Sequence, residues 1–212
     1  MPRLDPDRLF PLDARSRGLA RDLYSAIKDL PIISPHGHTD PRWFAENHPF
    51  PDPAQLFVVP DHYVFRMLFS QGVPLERLGV PRVDGGVVET DGRKIWRLFA
   101  ENYYLLRGTP SSLWIDQALA EVFGVEDRLA PTTADRIYDH IAECLAQPAY
   151  RPRALFERFN IEVIATTESP LDDLRWHRMI RESGWGGRVI TAYRPDCVVD
   201  PDFPGFVANL DT

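Results

Sequence analysis

The sequence is poor in the features that would assign it to several common classes at once. It has two cysteines, Cys144 and Cys197, which lie far apart and form no motif. That suits a reducing compartment in which both are inert core or surface thiols. It has no basic surplus: the formal net charge is −7 and the pI about 5.4. A nucleic-acid binder is disfavoured by that balance, whereas an anionic small substrate needs only one or two local arginines. No apolar run approaches the length needed to span a membrane. The N-terminal stretch "MPRLDPDRLFPLD" carries acids and prolines where a signal peptide has an apolar h-region. Internal repeats and low-complexity segments are also absent. The expectation is a soluble, cytoplasmic protein, with neither nucleic acid nor membrane as partner. Its 212 residues, 44% hydrophobic and 26% charged, suffice for one large domain or two small ones.

What is present begins with "SPHGHTDP". His36 and His38 follow the short apolar run "LPII" and are one residue apart. In an extended segment residues i and i+2 point the same way, so two imidazoles share one face at a strand end and look like half of a metal site. Gly37 between them allows close approach. A catalytic zinc takes three protein ligands and an open position, and no third ligand with a recognisable spacing occurs. On these residues alone, an unremarkable histidine-bearing surface loop is the competing reading.

The coarse pattern is strand, helices, then strand–helix–strand. Ser16 is expected to cap a helix running to about Asp29, with Leu19, Leu23, Ile27 and Leu30 on one face. "IIS" reads as a short buried strand, and Asp40-Pro41 as an N-cap with proline at the first helical position. "DHYVFRMLFSQG" reads as a helix with an apolar face (Tyr63, Met67, Phe69) closed by Gly72. The Gly- and charge-rich "VPRVDGGVVETDGR" reads as an exposed loop. "TPSSLWIDQALAEVFG" is bounded by Thr109-Pro110 and Gly124, and Thr132 with Asp135 forms a weak capping box. From residue 161 the texture changes. "IEVIATT" and "RVITAY" read as buried parallel strands, joined by a helix over "SPLDDLRWHRMIRES" with Pro170 near its start. All three strand ends carry polar groups: His36 and His38; Thr166, Thr167 and Glu168; Arg194 and Asp196. In parallel α/β folds the chemistry gathers beyond the C-terminal ends of the strands.

Two further groups have both a functional and a plain reading. His62, Tyr63 and Arg66 stand within one helical turn, so at least two can project together; the plain reading makes Asp61 an N-cap and Tyr63 core. Arg194 follows a strand and precedes a proline, and its planar fork fits a carboxylate; the plain reading is a surface ion pair with Asp196. His48, His140 and His177 read as structural or solvated, and the five tryptophans as packing.

With "PHGHTDP", "DHYVFRML", "ATTESP" and "TAYRPD" in this order and at this approximate spacing, the chain resembles the uronate isomerases, a branch of the amidohydrolase superfamily. The resemblance covers essentially all 212 residues. H-x-H is shared across the superfamily, whereas the "DHY…R" helix followed much later by "RPD" is far more specific. It implies an α/β fold, the N-terminal portion of a metal-dependent-hydrolase-like (β/α)8 TIM barrel. Segments 1–40 and 160–212 are then barrel βα units carrying strands one to three, and 41–159 is a helical insertion between strands one and two. It implies aldose–ketose interconversion of D-glucuronate with D-fructuronate and of D-galacturonate with D-tagaturonate. His36 and His38 then hold one divalent metal, often zinc, and His62 and Tyr63 act at the substrate, Tyr63 in proton transfer between C1 and C2. Arg194 and Arg66 bind the hexuronate, Arg194 at its carboxylate. Glu168 stands where some members carry aspartate, and its role is open. Assembly into a homo-oligomer is also open.

Three strands do not close a barrel of eight. The family's metal-side aspartate and further histidines and arginines are expected beyond residue 212. The chain is therefore expected to be the N-terminal part of a longer enzyme, or a truncated gene product, and inactive by itself. Two other functions compete. A metal-dependent hydrolase of the same superfamily shares His36 and His38 but has no need of "DHYVFR" with "YRPD". A non-catalytic helical interaction module has no cleft at the strand ends.

Overall fold

The computed structural model describes residues 4–211. In chain order the longer elements are α1 (Ala14–Ile27), β1 (Ile32–Ser34), α2 (Pro41–Glu46), α3 (Pro53–Phe57), α4 (His62–Ser70), α5 (Gly92–Asn102), α6 (Pro110–Gln117), α7 (Ala134–Leu145), α8 (Pro152–Arg158), β2 (Ile161–Glu168), α9 (Arg175–Glu182) and β3 (Arg188–Tyr193), with two short helices, α10 (Asp196–Val199) and α11 (Phe206–Leu210), after β3. They divide into two units: Pro49–Pro148 with the N-terminal segment through Arg21, and Asp22–His48 with the chain from Ala149 onward. The division falls within α1.

The first unit is helical. Its core is large and apolar: Trp96, Phe99, Leu68, Leu78, Ile95, Leu106, Leu119, Ile141 and Leu145 are all fully buried. The caps follow the sequence signals. Asp61 accepts the N–H groups of Tyr63 and Val64 at the start of α4, and Thr109 accepts that of Ser112 at the start of α6. Gly72 and Gly124 carry the positive φ that ends each segment, after a π-helical turn over Ala118–Val122 in the second case. Two expectations fail here. The buried face of α4 is Val64 and Leu68, while Tyr63 and Phe69 are exposed, because the helix turns its i, i+4 aliphatic pair inward. Thr132 caps nothing; the cap position of α7 is Thr133, whose hydroxyl instead donates to the Arg128 carbonyl.

The second unit is built on a three-stranded parallel sheet of order β1-β2-β3. β2 to β3 run in unbroken register from Val163↔Arg188 to Glu168↔Tyr193, whereas β1 to β2 slips between Ile32 and Ile33. Phe44 of α2, Phe156 of α8, Ile164 of β2 and Ile180 of α9 form its core, with Trp185 stacked on Phe44 at 5.8 Å. Arg153 ties α8 to α2 by donating to the carbonyls of Phe44 and Ala45. Asp40 caps α2 as its Asp-Pro signal indicates.

Several expectations need correction here. Of the three strands only β2 is well buried; Ile32 and Ile33 of β1, and Ile190 and Tyr193 of β3, are exposed. A β-branched run shows strand propensity but not how many layers cover it. Leu19, Leu23 and Ile27 likewise form an apolar face of α1 that stands exposed, and Leu30, expected on that face, lies exposed beyond the end of the helix. That helix is capped by Asp13, which accepts the N–H groups of Arg15 and Ser16, so Ser16 is not the cap. α9 starts at Arg175 rather than beside Pro170: Asp172 and Asp173 accept the N–H groups of Leu174 and Arg175, and Leu174 takes φ 51°. Among the described residues no helix is long and apolar enough to cross a membrane.

Candidate functional site

In the sheet unit, His36 and His38 follow β1 and sit on one turn. Their Nε2 atoms are 3.1 Å apart and the rings meet edge to face, centroids 5.0 Å apart. Two Zn–N bonds of about 2.0–2.1 Å meeting at a tetrahedral angle place their nitrogens about 3.3 Å apart. The pair therefore has the separation of two ligands of one ion. It equally fits one ring donating Nε2–H to the other's lone pair, a tautomer mismatch that one shared cation removes. Among the described residues no group of three or more His, Cys, Asp or Glu is arranged to hold a metal. The described residues thus present two converged imidazoles without a third ligand grouped beside them.

The turn rests on β2. Thr167 donates its hydroxyl to the Gly37 carbonyl at 3.0 Å, and a Cβ at Gly37 would lie 3.3 Å from the Ala165 carbonyl oxygen. Close approach to β2 is thus why glycine separates the two histidines.

The other polar residues of the β2 end go elsewhere. Side chains alternate along a strand, so Thr166 and Glu168 point away from Thr167. Thr166, fully buried, lies 2.9 Å from the Nε2 of His177 on α9 and 2.9 Å from a carboxylate oxygen of Glu168. The Ile190 carbonyl is a further acceptor at 3.2 Å. A hydroxyl has one proton, and the carboxylate is the stronger acceptor. Thr166 then donates to Glu168 and accepts from His177, which assigns the Nε2–H tautomer to His177. Its Nδ1 is buried without a hydrogen-bond partner among the described residues. Glu168 and His177 are 3.8 Å apart, with side chains 9% exposed each. The expectation that every polar residue at the strand ends converges on one place therefore fails for Thr166 and Glu168. They belong to a buried network with His177, which spacing alone did not mark. The available signal was period-two alternation in Thr166-Thr167-Glu168, with a histidine on the helix that follows.

Arg194 begins just past β3. Its Nε lies 3.2 Å from the Asp196 carboxylate, with side chains 61% and 54% exposed. An ion pair this open contributes little and is easily exchanged for another carboxylate.

In the helical unit, the first turn of α4 presents His62 half-buried, with Tyr63 and Arg66 exposed. The His62 and Tyr63 rings lie 4.2 Å apart at 34°. The same unit holds a cavity of about 590 Å³ lined by Tyr103, Asp116, Arg107 and Arg128 among others, and by none of the predicted site residues. Tyr103 donates to Asp116 there at 2.9 Å; burial, then the nearby Asp116 charge, pushes its phenol well above the ordinary value of 10.0.

Residues 12–212 match the family model of glucuronate isomerase. The chain belongs to the glucuronate isomerase family. It is similar to the uronate isomerase of Mesorhizobium japonicum, 73% identical over 207 residues, covering 98% of this chain and 44% of that protein. Similarity to the uronate isomerase of Rhizobium meliloti is 65% over 208 residues, with the same 98% and 44% coverage. Among solved structures, glucuronate isomerase from Caulobacter crescentus superposes with a TM-score of 0.93 at 54% identity, over 98% of this chain and 43% of that one. Uronate isomerase from Thermotoga maritima gives 0.84 at 26% identity, again over 98% and 43%. The chain spans less than half the length of the curated relatives it matches. Within the family it contributes an α/β portion with a partial parallel sheet.

Proposed function

We propose that this chain is the N-terminal portion of a uronate isomerase that interconverts D-glucuronate with D-fructuronate, and D-galacturonate with D-tagaturonate. The observation that supports this best is the His36–His38 pair: two Nε2 atoms 3.1 Å apart at the end of a parallel strand, in a chain of this family. Its sheet is three strands of a (β/α)8 barrel, and the segment 41–159 is inserted between β1 and β2, its ends α2 and α8 folding on the sheet. The working enzyme is read as cytoplasmic; Cys144 and Cys197, both free, suit a reducing compartment.

Isomerisation moves a proton between adjacent carbons and develops charge on an oxygen, so it needs an acid–base group and a stabiliser. His36 and His38 are the proposed ligands of one divalent ion, zinc being what the family resemblance implies; their nitrogen donors and separation fit such an ion. When bound, such an ion supplies Lewis-acid polarisation of a substrate oxygen. Tyr63 is the proposed proton carrier between C1 and C2, with the His62 ring against it to orient the phenol. Arg194 is the proposed anchor of the substrate carboxylate, exchanging its exposed Asp196 partner for it, and Arg66 is a second cation for the sugar. Holding the substrate in register contributes several kcal/mol of barrier reduction on the order seen for positioned reactants.

The test is turnover of both uronates by a protein of the relatives' full length carrying this sequence. Tyr63→Phe is expected to lower kcat on the order of 10²-fold, the typical contribution of a positioned acid–base group. Absence of ketose from either uronate overturns the reading, and unchanged kcat reassigns Tyr63 to packing. Residues 1–212 expressed alone are expected to give no useful turnover; comparable rates refute that part.

A further inference from the structure

Past Ser34, which pairs with Ile164, the β1–β2 ladder has ended. The two histidines therefore sit on backbone that sheet pairing no longer holds. Yet their ring nitrogens converge to 3.1 Å, a separation that depends on the torsions of the peptide units between them. One of those units, the Gly37–His38 peptide, is gripped from β2: the Thr167 hydroxyl donates to the Gly37 carbonyl at 3.0 Å. Thr167 is half-buried, two residues along β2 from the Ala165 carbonyl that a Cβ at Gly37 would crowd at 3.3 Å. Its χ1 is restricted by β-branching, so the hydroxyl has few other directions to take. The neighbouring Thr166 is committed to His177 and Glu168 and cannot substitute for it.

We propose that Thr167 is a positioning residue for the histidine pair: by fixing the Gly37–His38 peptide it sets the separation and aim of the two Nε2 atoms, and so the affinity for the divalent ion. This rests on the reading of His36 and His38 as metal ligands. Groups that orient ligands from behind typically change metal affinity by about 10–100-fold when removed.

The experiment measures zinc and manganese affinity of the metal-stripped, full-length protein by competition with a chromogenic chelator, with thermal unfolding of the metal-free form beside it. Thr167→Val keeps the shape and removes the donor; it is expected to weaken affinity about tenfold or more, while Thr167→Ser retains it within about threefold. His36→Ala is the reference arm. Weakening in His36→Ala with wild-type affinity in Thr167→Val overturns the role of Thr167 and leaves the metal reading standing. Wild-type affinity in His36→Ala overturns both. Equal weakening in the valine and serine variants assigns Thr167 to packing and overturns the proposal. Should the valine variant not fold, Thr167→Ala against Thr167→Ser makes the same comparison without added bulk. A lower melting temperature with unchanged affinity again marks a merely structural residue.

Discussion

The helical unit and the sheet unit divide the work of the chain unequally. Nearly all the large, fully buried side chains are in the helical unit, with Trp96 and Phe99 at its centre. The sheet unit has a small core around Phe44, Phe156, Ile164 and Ile180, and leaves isoleucines of β1 and β3 exposed. It nonetheless carries the histidine pair, the Thr166–His177–Glu168 network and Arg194. Burial is segregated here: the large apolar core lies in the helical unit, whose α4 carries His62, Tyr63 and Arg66 at its surface, while the proposed metal ligands lie in the thinly packed sheet unit.

The sharpest way to break that comparison is Trp96→Ala. Trp96 is fully buried and donates its indole N–H to the Ala134 carbonyl at 3.0 Å. Its truncation is expected to destabilise the protein by about 3–5 kcal/mol in chemical denaturation. In the same 212-residue chain Ile33→Ala, at an exposed strand position, is expected to stay within about 0.5 kcal/mol. Comparable losses at the two sites contradict the segregation.

Next in size is Arg194→Met in the full-length protein. A charge-assisted hydrogen bond contributes roughly 1.5–3 kcal/mol, so kcat/KM for a uronate is expected to fall roughly ten- to a hundredfold with little change in melting temperature. The fall for a neutral aldose should be much smaller. Equal losses on both substrates assign the residue to another part of the sugar or to folding.

A smaller effect tests the helical unit by pH. Because the Tyr103 phenol is held above its ordinary value, the unfolded chain ionises first as pH rises past about 10. The contribution of Tyr103 is thus complete below that pH and declines above it. Tyr103→Phe is expected to cost on the order of 1 kcal/mol at neutral pH, the usual value of a lost hydrogen bond. The gap should narrow above pH 10, as read from melting temperatures across the alkaline range. A gap that widens there refutes the assignment.

The smallest effect concerns surface charge. Asp135 accepts from Arg97 and also lies against Arg93, and Arg97 first, then Arg93, lowers its carboxyl below the ordinary value of 3.8. The stabilisation is present above that value and lost as pH falls through the lowered one. Asp135→Asn should shift the melting temperature slightly at pH 7, and the shift should vanish in acid and in high salt.

Much of this was legible in the chain. Asp40, Asp61 and Thr109 announced their helices, because a cap is a local bargain between one side chain and two amides. The parallel pairing of β2 and β3 followed from strand, helix, strand within thirty-odd residues. The start of α9 was not legible, since two aspartates closed turns on Leu174 and Arg175 and displaced the helix that periodicity suggested. Exposure was not legible either. The spacing of Leu19, Leu23, Ile27 and Leu30 reveals an apolar face, but nothing local states what covers it. At the site, the H-x-H spacing foretold two rings on one side. His177 escaped because its partners are set by helix-on-sheet packing.

β2 serves two clients with consecutive threonines, and this makes the strand sensitive to phase. Its pairing with β1 already contains one slip, where Glu162 is skipped between Ile161 and Val163, while its pairing with β3 contains none. A single-residue deletion before Thr166 would set Thr167 against His177, chemically silent, but would turn the Glu168 carboxylate onto the Gly37 carbonyl, oxygen against oxygen. A single-residue insertion there would leave a threonine facing the histidine turn and instead take the carboxylate away from His177. Length change in β2 is therefore unequal in its damage: gain disturbs only the helix side of the sheet, whereas loss removes the carboxylate from His177 and also sets it against the histidine turn.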